Sequence, residues 1–309
     1  MVLICSLAAF LSGICLSLQG PTNAALARRS DRFSASFISS LVGLLLSLLW
    51  MMLAGKGDLS LLPQCRFWMY LGGVYGVYGL FLTMIGIQYL GLALTVTLTM
   101  LGQMATSFVI DIFGAFGVTA VPVSMLRLGG ICAVALGILL IDIGNRRSST
   151  ASSAPDSRHS LLLVVPVFGV GVGSSLRVPA SAAMSAIIGS HEATFISFVI
   201  GTALTFAAAL IINRGRLIFP KKNQSRPWFY LGGLYGVIAQ FLNIISVPAL
   251  GVTLQSACGM FGRLICSVFT DHFGLLETKK AKISAWRLSG ILSIALGVCL
   301  VTVAKLGYG

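Results

Sequence analysis

Acidic residues are scarce in this chain. Eight Asp and Glu stand against twenty-one Lys and Arg in 309 residues, and none of the eight falls in the middle of an apolar run. An exporter of lipophilic cations coupled to protons needs a carboxylate inside the membrane, so that class is disfavoured. Histidine is rarer still. His159, His191 and His272 lie in loops or at helix ends and receive no role, which argues against an integral-membrane enzyme built on clustered His or acidic groups. The seven cysteines (Cys5, Cys15, Cys65, Cys132, Cys258, Cys266, Cys299) show no CxxC and no His at ligand spacing. Neither a disulfide framework nor a metal site is indicated, and no cofactor is implied. No GxxxxGK[ST] occurs, so ATP would have to come from elsewhere. The N-terminal run MVLICSLAAFLSG has no basic residue ahead of its apolar core. It reads as a first membrane helix and not as a cleaved signal.

Apolar residues, in contrast, make up 57% of the chain. Stretches of about 20 residues, enough to cross a hydrocarbon core of roughly 30 Å as helix, recur along its length. They predict spans over 2–26, 34–54, 68–88, 90–111, 124–143, 161–186, 194–213, 228–247, 250–270 and 285–304. The expected fold class is all-α integral membrane, because backbone polar groups in lipid are satisfied within helices. The net charge of +13 sits mostly in short loops beside these spans, where it signals topology and not nucleic-acid binding.

The chain repeats itself. WMYLGGVYGV (68–77) matches WFYLGGLYGV (228–237), LGQMATSFVIDIFG (101–114) matches FGRLICSVFTDHFG (261–274), and RLGGICAVALG (127–137) matches RLSGILSIALG (287–297). All keep an offset of 160 residues, the signature of an internal duplication. The second helices match with a two-residue slip. The expected organisation is a five-helix repeat over 1–143, a Ser-rich cytoplasmic linker over 144–160, and a second five-helix repeat over 161–309. Five is odd and the linker is too polar to cross, so the second repeat inserts upside down. Charge supports this: alternate loops place fifteen Lys and Arg on one side and four on the other. The first side is therefore cytoplasmic, with both termini outside.

LQGPTNAAL (18–26), YLGGVYGVYG (70–79), LGQMATSFVIDIFG (101–114) and RLGGICAVALGILL (127–140) resemble the YdcZ family, whose members are described as bacterial inner-membrane exporters within the drug/metabolite transporter superfamily. The resemblance covers nearly the whole chain, which looks like a fused, duplicated form. It implies a ten-helix bundle of two inverted five-helix units, placed in the bacterial inner membrane. Half two departs from the family pattern. At the 160-residue offset, Gln19 and Asn23 meet Pro179 and Ala183, and Gln103 becomes Arg263.

The candidate substrate-binding residues are Gln103, Arg263, Gln19, Asn23, Arg177, Gln240 and Asn243. An arginine at a helix centre costs about 2.5–3.5 kcal/mol on insertion scales and so needs a partner or water. Arg263, with Arg177, either faces a wet cavity and takes an anionic group, or is held by backbone carbonyls, Gln240 or Asp271 for assembly alone. The amides either line a cavity or join helices. Asp111 with Arg127 and Asp271 with Arg287 repeat a sixteen-residue spacing at helix ends; as pairs they are either gates or loop staples. Asp142 with Arg146 is an i, i+4 structural pair. Gly72, Gly73, Gly76, Gly79, Gly232, Gly233 and Gly236 have the spacing of close helix packing. The expected function is alternating-access secondary transport of a small polar or anionic metabolite, outward across the inner membrane. The alternative is a non-transporting assembly or lipid-organising protein. Expected partners are a small-molecule substrate and the lipid bilayer; a homodimer is left open.

Overall fold

The computed structural model describes residues 1–90, 92–148, 157–220, 226–277 and 284–306. Its elements are helical: α1 (Val2–Ala27), α2 (Arg32–Ala54), α3 (Phe67–Leu90), α4 (Leu92–Phe113), α5 (Met125–Ser148), α6 (Ser157–Ile188), α7 (Ser190–Ile212), α8 (Leu231–Phe273) and α9 (Ala285–Leu306), with short 3₁₀ turns between them. Eight helical stretches among the described residues are long and apolar enough to cross a membrane. The protein is an all-α integral membrane protein.

The predicted spans 228–247 and 250–270 form one element, α8, of 43 residues. Straight, it would reach about 65 Å, roughly twice the hydrocarbon thickness. It folds back instead. Gly251 adopts φ 74 and ψ 174 inside it, a conformation that only glycine takes without strain, and Pro248 lies just ahead. Beyond the bend, Gln255 Nε2 donates to Asn243 Oδ1 at 2.6 Å. Twelve residues of straight helix would separate these groups by about 18 Å. So α8 is a hairpin of two arms, 231–250 and 252–273.

The linker is shorter than expected. Helix α5 continues to Ser148 and α6 begins at Ser157, so helix extends into 144–160 from both sides. Residues 149–156 lie outside those described, as do the Arg146 and His159 side chains.

The halves interlock. Helix α1 packs on α8, α5 on α9, α6 on α3 and α4, and α2 on α7. Related contacts recur in the two halves. Cβ atoms at Gly130 and Gly137 would meet the carbonyls of Gly297 and Gly290 at 2.9 and 2.6 Å, and Cβ atoms at Gly297 and Gly290 would meet those of Gly130 and Gly137 at 2.6 and 2.7 Å. Helices α5 and α9 thus touch backbone to backbone at two reciprocal points, the close approach that stabilises helix pairs in lipid through packing and not through hydrophobic burial. Both repeated frames also end alike: Gly114 and Gly274 are left-handed, as are Phe116 and Leu276 two residues on. Of the remaining glycine stripe, Gly76 has open space in front of it, against the expectation of close packing, while three glycines pack against polar side chains. Gly72 faces Ser181 and Arg177, Gly232 faces Asn23, and Gly236 faces Gln19.

Candidate functional site

The register of α1 and α6 decides which residues correspond. Gly13 packs on the backbone of Gly259 and Arg263, and Gly171 packs on Thr99 and Gln103. Likewise Gly262 abuts Phe10, and Gly102 abuts Phe168. These contacts relate α1 to α6 by 158 residues, not 160. The equivalents of Gln19 and Asn23 are therefore Arg177 and Ser181, correcting the pairing with Pro179 and Ala183. The neighbours agree: Gly232 meets Asn23 where Gly72 meets Ser181. Half one presents Gln19 and Gln103, and half two presents Arg177 and Arg263 at the same two places.

Around them, polar groups from α1, α4, α6 and α8 collect inside the bundle. Arg177 Nη1 donates to Gln240 Oε1 at 2.6 Å, and Gln240 Nε2 donates to Ser181 Oγ at 3.1 Å. Both arginines are half-buried, and they lie near enough for Arg177 to feel the charge of Arg263. The partners suggested for Arg263 are engaged elsewhere: Gln240 holds Arg177, and Asp271 faces Arg287. Among the described residues, Arg263 has no hydrogen-bonding or ion-pairing partner. Close by, Ser107 Oγ lies 2.7 Å from Ser175 Oγ and 2.8 Å from Ser256 Oγ, while Ser175 also donates to the Gln103 carbonyl at 2.6 Å. Asn243 Oδ1 accepts from Ser12 at 2.6 Å as well as from Gln255. Buried Asn23 Oδ1 and Gln255 Oε1 have no partner. Ser12, Ser107, Ser175, Ser256 and Gln255 escaped the sequence reading; small hydroxyls are common in membrane helices, and only Ser107 lay in a repeated frame.

The two acid–base pairs differ. Asp111 and Arg127 are almost fully buried and bonded at 2.6 Å. Asp111 also accepts from the backbone amides of Val252 at 2.7 Å and Thr253 at 2.9 Å. It caps the second arm of α8 just after the bend, where free N–H groups and the helix dipole favour a carboxylate. Arg127 adds bonds to the Val121 carbonyl and the Thr253 hydroxyl, both at 2.9 Å. This pair is therefore more than a loop staple. The equivalent Asp271–Arg287 pair, at the opposite end, is longer at 3.4 Å, and its carboxylate side chain is 30% exposed.

A sequence model described as "Putative inner membrane exporter, YdcZ" matches residues 4–140 and again 162–300. The chain belongs to the YdcZ family. The matched regions begin 158 residues apart and end 160 apart, the same change of register that the helix contacts show. The Escherichia coli (strain K12) protein "Inner membrane protein YdcZ" is 31% identical over 112 residues, covering 36% of this chain and 70% of that protein. A solved structure titled only "Crystal structure of protein" superposes with a TM-score of 0.75 at 12% identity, covering 100% of this chain and 99% of that one. At that identity it speaks for the fold alone. Family membership and the apolar helices make this a multi-pass inner-membrane protein of a transporter family.

Two features lie outside the predicted set. His191 meets Trp50 and Phe241 in a three-ring cluster with centroids 4.5–5.5 Å apart. Glu192 is buried at the start of α7; one carboxylate oxygen accepts from the Gly57 amide at 2.8 Å and the other has no partner. No group of three or more His, Cys, Asp or Glu with metal-binding geometry occurs among the described residues.

Proposed function

We propose that the protein is a secondary transporter that moves a small polar or anionic metabolite outward by alternating access, with the polar centre as its substrate site. The reading describes ten membrane crossings, counting the two arms of α8, arranged as two inverted five-helix repeats. The observation that carries it is the unequal condition of the two equivalent pairs. Asp111–Arg127 is sealed against the bend of α8, while Asp271–Arg287, at the other end of the same repeat relation, is loose and partly exposed. An inverted repeat that alternates predicts one closed end and one opening end in any single state. With the basic loops cytoplasmic and both termini outside, the closed end is external and the loose end internal. Gln19, Gln103, Arg177 and Arg263 then line the site between the ends, with Gln240 positioning Arg177 and Asn23 and Asn243 completing the polar wall.

The test is saturable uptake into proteoliposomes of purified protein, compared with Asp111→Asn and Asp271→Asn. Flux that saturates, with the two variants trapping opposite orientations by thiol labelling at the two ends, supports the reading. Absence of flux for every solute tried, with wild-type behaviour of both variants, returns the protein to a non-transporting role.

A further inference from the structure

The charge of the substrate follows from a comparison of the two halves, and it rests on the transporter reading above. Each half places two side chains at the centre, one from its first helix and one from its fourth. In half one these are Gln19 and Gln103, both neutral; in half two they are Arg177 and Arg263, both cationic. The two substitutions occupy corresponding places around one centre: Arg177 bonds Gln240, and Asn243, a turn further on, bonds Ser12 beside the Gly13 that packs on the Arg263 backbone. Two like charges held together inside a membrane bundle call for a counter-charge. Among the described residues, no carboxylate is bonded to Arg177 or Arg263. Asp111 and Asp271 belong to Arg127 and Arg287, Asp31 caps α2, and Glu192 holds the Gly57 amide. The partner of Arg177 is the neutral Gln240, and Arg263 has no bonded partner among the described residues.

We infer that the site binds a small dianion, whose two negative charges sit together between Arg177 and Arg263 while its neutral portion lies toward Gln19 and Gln103. A phosphate monoester and a short dicarboxylate share this chemistry. A guanidinium fork grips either one through paired N–H···O bonds, and two forks neutralise both charges. A monoanion would leave one half-buried cation uncompensated. Gln240, which stands where half one has Leu80, keeps the Arg177 plane fixed for this purpose.

The experiment uses the full chain, purified, with matched probes that differ by one charge. Methyl phosphate is compared with dimethyl phosphate, and succinate with succinamate and succinamide, at neutral pH. Binding is read by thermal stabilisation and transport by proteoliposome uptake. The expected result is that the dianion of at least one series binds about tenfold or more tightly than its monoanion. Arg177→Gln and Arg263→Gln, which restore the amides of half one, should each weaken dianion binding far more than monoanion binding, so that the preference is lost. The series that responds distinguishes phosphate from dicarboxylate. If a Gln variant does not fold, Arg→Lys replaces it; the dianion preference should then survive with weaker binding, because the charge stays and the fork is lost. Equal affinity for monoanion and dianion, or an intact preference in Arg177→Gln, overturns the inference. Saturable transport of a neutral or cationic solute with no anion bound overturns it and leaves the transporter reading in place. No binding and no flux for any probe or solute removes both.

Discussion

At the scale of single residues, the two acid–base pairs look interchangeable in sequence yet sit in different environments. Asp111 and Arg127 are desolvated, so deleting either partner strands a charge in the interior. Arg127→Ala is expected to destabilise the protein by about 3–5 kcal/mol, read as a lowered unfolding midpoint in detergent. Asp271→Ala removes a longer, partly hydrated contact and should cost about 0–1 kcal/mol. Equal losses in the two variants would contradict the asymmetry seen here. A third carboxylate carries a pH dependence. Burial pushes the Asp31 carboxyl up, but bonds from Ser34, Phe33 and Asn213 outweigh it and hold it below the usual carboxylate range. Its contribution is therefore complete above the unfolded value of about 4 and is lost as pH falls through the lower folded value. Asp31→Ala should cost about 1 kcal/mol at neutral pH through loss of the α2 cap, and the gap to wild type should close in acid. A gap that widens in acid would reverse the assignment.

At the scale of elements, the bend in α8 joins the sealed end to the centre. Gly251 lies where a Cβ would strain the backbone and come within 3.1 Å of the Asp111 carboxylate. Gly251→Ala should cost about 1–3 kcal/mol and loosen the Asp111–Arg127 end, measurable as faster thiol labelling at that end. Unchanged stability and labelling would mean the bend is dispensable. The bend also marks where sequence reading worked and where it stopped. Spans 228–247 and 250–270 were legible because two full crossings of apolar residues lie there, with Pro248 between them. That Asn243 and Gln255 bond across the two arms was not, since period and hydropathy carry no record of which side chains meet when two arms turn on each other. The equivalence of Gln19 with Arg177 was hidden for a related reason. The two-residue shift in α1 is masked by low identity in that helix, and only backbone contacts such as Gly13 on Arg263 and Gly171 on Gln103 fix the register. Gln103, Arg263, Gln240 and Asn243 stood out because polar side chains are conspicuous in apolar runs. Ser107, Ser175 and Ser256 did not, because a serine can satisfy itself on its own helix.

At the scale of the whole molecule, a duplicated chain invites the picture of two domains in series, and the packing contradicts it. The heaviest contacts of α1, α2, α3, α4 and α5 are all made with α6, α7, α8 and α9. The four central side chains divide in the same way, with Gln19 and Gln103 from one half and Arg177 and Arg263 from the other. Each half by itself would expose Gly130 or Gly290, Gly102 or Gly262, and its share of the buried polar centre to lipid, where unpaired polar groups are costly. Neither half should therefore form a stable bundle alone. Residues 1–148 and 157–309, produced as two chains in one cell, should find each other, because the heaviest helix contacts run between the halves. The expected outcome is co-purification of the two fragments with one cooperative melting transition and, on the transporter reading, recovered flux; each fragment expressed singly should aggregate or be degraded. Two fragments that purify separately as monodisperse, independently melting species would show that the halves are autonomous, and would shift the origin of the polar centre from folding to a later docking of finished domains.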